Sequence, residues 1–188
     1  MEPLRGYWRN VENIGRRTYI CGYCGVTTGV IEGYNQSEGH GRIYICGGCN
    51  RPTYLNEVDR IVQSPAPVFG NPVLHLPPEI SELYDQACRS TQVNAYSGCI
   101  LLCRKLLMHV AVEQGADPSQ SFLSYVEYLV NNGYVPPNGR GWVDQIRQRG
   151  NEANHEIYIA SCGDAIELLA FVEMLLKFVY EFPARIIT

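Results

Sequence analysis

Cys21-Gly22-Tyr23-Cys24 and Cys46-Gly47-Gly48-Cys49 are two C-x-x-C pairs with twenty-one residues between them. Two thiolates three positions apart can point at one ion, with glycine relaxing the turn, and a second such turn completes a tetrahedron. Each pair follows a short β-type run, Arg17-Thr18-Tyr19-Ile20 before the first and Arg42-Ile43-Tyr44-Ile45 before the second. Strand followed by knuckle is the layout of a zinc ribbon. A redox C-x-x-C would account for one pair but not two, and no helical pattern follows the first pair as a thioredoxin-type site requires. Cys21, Cys24, Cys46 and Cys49 are therefore expected to hold one structural zinc. Sulfur fills all four coordination positions, so this zinc has no place for water and is not expected to be catalytic. The region has few large aliphatic residues, and metal binding supplies stabilisation that such a core lacks.

Downstream the texture changes. Five prolines fall between Pro65 and Pro78, which excludes helix and central strand there and points to an extended linker. From Glu79 onward the apolar spacing is helical, and four or five helices are expected. The first runs from about Pro78 to Thr91, with Ile80, Leu83, Tyr84 and Ala87 on one stripe. The second covers about Asn94 to Gln114 and is apolar almost all round, which predicts a central place in a bundle. The third covers roughly Ser119 to Asn131, entered through Asp117-Pro118 and closed by Asn132-Gly133. The fourth spans about Arg140 to Asn154, and the last about Asp164 to Phe182, with Asp164 and Glu167 at capping-box spacing. The expected architecture is α+β and mostly α: residues 1–62 a small β zinc ribbon, 63–78 a Pro-rich linker, and 79–188 a bundle of four to five helices.

Composition narrows the function classes. The formal charge of −4 argues against a uniformly basic nucleic-acid coat. Arginine makes up thirteen of the fifteen basic residues, the residue suited to bidentate phosphate contacts and to stacking on flat rings. Residues 1–17 lack the apolar core of a signal peptide, and Ile166 to Tyr180 is too short and too charged to span a bilayer comfortably. A cytoplasmic protein with no membrane association is expected, in which eight cysteines are thiols or metal ligands rather than disulfides. Cys99 and Cys103 lie one helical turn apart and could bind metal, but on an apolar helix they read better as small buried hydrophobes.

One polar stretch interrupts the helical pattern. Residues 145–156 gather Arg147, Arg149, Asn151, Asn154 and His155 around Gly150. On a continuous helix Arg147, Asn151 and Asn154 share a face, with His155 about 80° away. A histidine can take a proton from a ribose 2′-hydroxyl or return one to the leaving oxygen, and arginine can stabilise the developing phosphorane charge. The same residues can equally satisfy backbone groups at a helix end and pair with Glu152, Glu156 or Asp144.

Taken whole, from the two knuckles through Tyr96-Ser97-Gly98-Cys99, Cys103-Arg104-Lys105-Leu106-Leu107 and Gly150-Asn151-Glu152-Ala153-Asn154-His155 to Tyr180-Glu181-Phe182-Pro183, the chain resembles a bacterial family of unknown function. Its members pair a zinc ribbon with a helical domain and are met in restriction and phage-defence settings. That helical domain is similar to the HEPN superfamily, whose active members are metal-independent endoribonucleases. These carry an Arg and a His four to six residues apart at a dimer interface, and many relatives are inactive. Arg149 and His155 fit this spacing, although Gly150 stands where active members carry a polar residue. The family pattern of Arg, then Gly-Asn three positions on, then His instead selects Arg147, Gly150, Asn151 and His155.

The resemblance implies a homodimer formed through the helical domain, and an endoribonuclease or nucleic-acid-binding part of a bacterial defence or toxin system. The alternative is a non-catalytic interaction module. In it the ribbon presents Arg16, Arg17, Arg42 and Arg51 among Tyr19, Tyr23, Tyr44 and Tyr54 to RNA, another single strand or a protein, unless those tyrosines form the ribbon's own core. A nucleotide-sensing or antitoxin-like subunit is a third reading.

Overall fold

In the computed structural model the described residues are 2–56, 62–136, 141, 143 and 159–186. The chain forms two compact units, Met1–Val68 and Phe69–Thr188, and the architecture is α+β.

The first unit is an antiparallel meander of five strands: β1 (Glu12–Ile20), β2 (Thr27–Asn35), β3 (Gly41–Ile45), β4 (Pro52–Asn56) and β5 (Val62–Ser64), in that spatial order. The two knuckles are the β1–β2 and β3–β4 connections. β1 is longer than the four-residue run that precedes the first knuckle in the sequence. It continues back through an irregularity between Asn13 and Arg17, where Gly15 takes a φ of +90° and donates its N–H to Asn13 Oδ1 at 3.1 Å. This re-aims the strand so that Ile14 and Tyr19 both face the core. With Tyr44, Leu55 and three cysteines they form a small buried cluster.

The second unit is helical. A Pro-rich stretch leads into α1 (Pro78–Gln92), followed by α2 (Tyr96–Glu113) and α3 (Phe122–Asn131). α4 (Cys162–Leu176) runs through one π-helical turn, Lys177–Glu181, into the short α5 (Phe182–Ile186). α2 packs against α1, α3 and α4, the central position its apolar girdle predicts; Cys99, Cys103, Leu106, Leu107, Val110 and Ala111 are buried on it. Cys99 and Cys103 are fully enclosed in the core, as small hydrophobes should be. Gly141 and Val143 are helical, but the rest of the expected fourth helix lies outside the described residues.

Two helix starts differ from the expected ones. α3 begins at Ser121, whose side chain accepts from Ser124 N, rather than at Asp117-Pro118. The capping box of α4 lies three residues earlier than expected. Ser161 accepts from Asp164 N at 3.2 Å, and Asp164 Oδ2 accepts from Ser161 N at 2.9 Å. Asp164 is thus the N3 partner and not the cap. Ser161→Ala is expected to lower the stability of the helical unit by about 1 kcal/mol, readable as a shift in the urea midpoint without a change in slope. Among the described residues, no helix is long and apolar enough to cross a membrane.

Candidate metal centre

The two knuckles repeat one backbone geometry. Cys21 N donates to Val26 O (3.0 Å) and Gly25 N to Cys21 O (2.8 Å); in the second knuckle Cys46 N donates to Arg51 O (2.9 Å) and Asn50 N to Cys46 O (2.8 Å). The residue after the second cysteine must be left-handed, and it is: Gly25 has φ +71° and Asn50 φ +57°, glycine and asparagine being the residues that tolerate this region. The glycine inside the first pair serves a different end. A Cβ on Gly22 would lie 2.4 Å from the carbonyl oxygens of Pro65 and Ala66, so the chain after β5 closes over the knuckle at backbone contact.

This geometry brings four sulfurs together. Cys21 Sγ lies 3.7 Å from Cys49 Sγ, and Cys24 Sγ 3.7 Å from Cys46 Sγ; all four lie within 4.8 Å of one another. Ligands about 2.3 Å from a tetrahedral ion stand about 3.8 Å apart, whereas a disulfide requires about 2.05 Å. The spacing is that of a four-sulfur metal site. Cys21, Cys46 and Cys49 are buried and Cys24 is half-buried.

The surroundings fit an ion as well. Burial pushes the Cys21 thiol up to about 12, against the backbone N–H groups of Cys24 and Tyr23, which favour the thiolate. At Cys46 burial acts in the same upward direction, but the N–H groups of Cys49 and Gly48 and the neighbouring thiols bring it below the ordinary cysteine value. Each knuckle therefore aims two N–H groups at its first sulfur, the second-shell arrangement that supports a metal-bound thiolate. Four thiols with mainly one another as side-chain partners are a poor neutral cluster and a good ligand set for one divalent ion.

Around the centre, the arginine and tyrosine residues sort into core and surface. Tyr19 and Tyr44 are buried, with ring centroids 6.3 Å apart, so these two belong to the core and are not contact surface. Tyr23 and Tyr54 are exposed. Arg51 sits 5.6 Å from the Tyr23 ring centroid, Arg42 Nη1 donates to the Tyr44 hydroxyl at 3.4 Å, Arg16 is exposed and Arg17 half-buried. Tyr44 lies on the buried side of β3 while its neighbour Ile43 faces out; strand alternation was the available signal. The docking of residues 2–8 on the second knuckle, through Asn50 and Arg51, had no such local signal. On α2, Arg104 stacks over Phe122 at 4.3 Å and His109 Nε2 lies 3.4 Å from Glu113. The candidate catalytic residues Arg147, Arg149, Asn151 and His155 lie outside the described residues.

A sheet unit with a four-cysteine cluster able to hold a metal ion, followed by a helical unit, defines the class of the protein. Residues 85–186 match the family described as Domain of unknown function (DUF4145), and the chain belongs to that family. No curated protein and no solved structure matches it.

Proposed function

We propose that the chain is a cytoplasmic zinc-ribbon protein with a HEPN-like helical domain, acting as a nucleic-acid-binding component of a bacterial defence or toxin system. The metal is zinc because four thiolates in a closed tetrahedral set suit a soft, redox-inert ion. Its role is structural. The observation that carries the binding reading is the arginine on this unit: residues 1–56 hold six arginines and no lysine, and Arg5, Arg9, Arg16 and Arg42 are exposed. Guanidinium groups on a rigid metal-held scaffold suit phosphate and stacked bases. Binding of labelled single-stranded RNA, followed by fluorescence polarisation, should weaken as salt is raised, with a log–log slope set by the number of phosphates contacted. Binding that is absent, or indifferent to salt, would defeat the reading.

The second reading is a metal-independent endoribonuclease, favoured by the Arg149–His155 spacing. Dimerisation through the helical domain would bring two copies of this segment together; Phe178, Phe182 and Ile186, exposed at successive helical turns, give that domain an apolar face for a partner copy. His155 would move the proton between the 2′-hydroxyl and the leaving oxygen, while Arg147 or Arg149 stabilises the phosphorane and Asn151 orients the substrate. Total RNA incubated in EDTA should be cleaved by the wild type to 2′,3′-cyclic phosphate ends and left intact by His155→Ala. Equal inertness of both proteins removes the enzyme. Cleavage that survives His155→Ala and both arginine substitutions removes the site.

A further inference from the structure

We propose that the groove between the amino-terminal arm and the second knuckle receives an unstacked base of a single-stranded nucleic acid, with Tyr7 and Arg9 as its stacking platform. The inference rests on the nucleic-acid reading above and gives it a place on the molecule.

The arm is irregular in backbone yet firmly held. Leu4 N donates to Cys49 O at 2.8 Å. Asn50 Nδ2 donates to Leu4 O (3.0 Å) and Gly6 O (2.9 Å), while Asn50 O accepts from Trp8 Nε1 (3.0 Å). Arg51 Nη1 donates to Glu2 O at 3.1 Å. Asn50 thus grips the arm on either side of Tyr7. Trp8 is half-buried and meets Tyr34 edge-on, and the Tyr34 hydroxyl donates to Arg9 O at 2.6 Å. Between these anchors Tyr7 leaves 80% of its surface exposed, with the Arg9 guanidinium 5.9 Å from its ring centroid. A large ring on a backbone anchored at both flanks and left open to water is a ready stacking surface: the arm itself has little backbone entropy to lose when a base covers the ring.

The groove beside it measures about 610 Å³, within the range of small-ligand sites. Trp8, Val30 and Ile31 give it apolar walls, and Gly47 opens one side for want of a side chain. Glu32 is the one carboxylate among its lining, an acceptor suited to the exocyclic amine of a base. Two guanidinium groups stand beside its lining. Arg9 is exposed on the arm beside Tyr7, and Arg16 Nη2 comes within 3.9 Å of where a Cβ on Gly29, in the β2 wall, would sit. Flat faces, one acceptor and a rim of arginine describe a nucleotide in a strand better than an apolar peptide, which would have no use for the rim.

The test uses the full zinc-loaded chain, labelled cytidine and deoxycytidine oligomers of about a dozen nucleotides, and polarisation together with tryptophan fluorescence. Tyr7→Ala and Arg9→Ala should each weaken binding roughly tenfold or more, and Leu101→Ala, at an exposed apolar side chain of α2, should not. Asn50→Gly keeps the left-handed backbone but removes the amide that holds the arm, so binding should fall while the zinc content stays. Equal binding of both oligomers assigns the recognition to base and phosphate; preference for the cytidine oligomer adds the ribose. Wild-type affinity in Tyr7→Ala overturns the groove and leaves the nucleic-acid reading standing. No binding of either oligomer by the wild type overturns both. A tryptophan signal produced by an acidic leucine-rich peptide, and by neither oligomer, overturns the base in favour of a protein partner.

Discussion

Serine in place of Cys46 will abolish zinc binding and unfold residues 2–56, while the helical unit keeps its far-ultraviolet helix signal. Cys46 Sγ is buried and lies 3.7 Å from Cys24 Sγ. A hydroxyl there is a harder, shorter ligand that does not ionise near neutral pH, and three remaining thiolates hold a structural ion poorly. The size of the effect follows from how little else the sheet unit has. Apart from its cysteines, the buried apolar residues of its core among the described residues are Ile14, Tyr19, Tyr44 and Leu55. Four side chains at about 1.5–3 kcal/mol each do not approach the entropy of ordering the chain, about 1–2 kcal/mol per residue. Structural zinc contributes about 10–16 kcal/mol in small domains, so under the proposed zinc assignment folded and zinc-bound would be nearly the same state. Intact mass spectrometry should find one zinc per wild-type chain and none in Cys46→Ser, and limited proteolysis should cut the variant within residues 2–56. Cys99→Ser, made in the helical core, should keep its zinc. Wild-type protein with no zinc and with its knuckle sulfurs in disulfides would refute the centre.

The four-cysteine cluster was legible because its signal is local. Three-residue spacing and a preceding strand bring two ligands together before any tertiary contact forms, and two such units leave one arrangement. What those cues do not encode is which face of a strand looks inward. Tyr19 and Tyr44 read as surface candidates alongside Tyr23 and Tyr54 until the register of β1 and β3 put the first two in the core. Asn50 is a closer case. Its place after the second knuckle matches that of Gly25 after the first, so a left-handed residue was predictable; its grip on Leu4, Gly6 and Trp8, more than forty positions away in sequence, was not. On α4 the cap was misplaced by one turn because two acids with helical spacing, Asp164 and Glu167, resemble a box. The decisive residue is the serine before them, whose oxygen is short enough to reach the N3 amide.

Glu173→Ala is expected to cost the helical unit about 1–2 kcal/mol, because one half-sunken carboxylate ties the Pro-rich stretch to the last long helix. Its Oε2 accepts from Asn71 N at 2.8 Å, Oε1 accepts from Asn71 Nδ2 at 3.0 Å, and Lys177 Nζ pairs with Oε1. The Tyr84 hydroxyl completes the group by donating to Asn71 O at 3.0 Å. Eight residues on, Glu181 repeats the device by accepting from Leu74 N at 3.1 Å, so a segment barred by its prolines from helix and sheet finds side-chain partners for its N–H groups. Alanine at 173 removes the acceptor shared by the Asn71 amides and the Lys177 ammonium. The pH dependence has a definite sign. Burial would push the Glu173 carboxyl up, but Lys177 and the Asn71 donors outweigh it and hold it below the usual glutamate range. A folded value below the unfolded one, about 4.3, means stability fully present above that pH and lost as the pH falls through the folded value. Urea unfolding from about pH 7 down to about pH 3 should show the wild type losing stability in the acid range more steeply than Glu173→Gln. The amide cannot titrate and can keep only part of the bonding. An equally steep acid limb in the glutamine variant would mean that Glu173 contributes no proton linkage, and that the stretch is held by packing of Phe69, Val73 and Leu76 against the helical core.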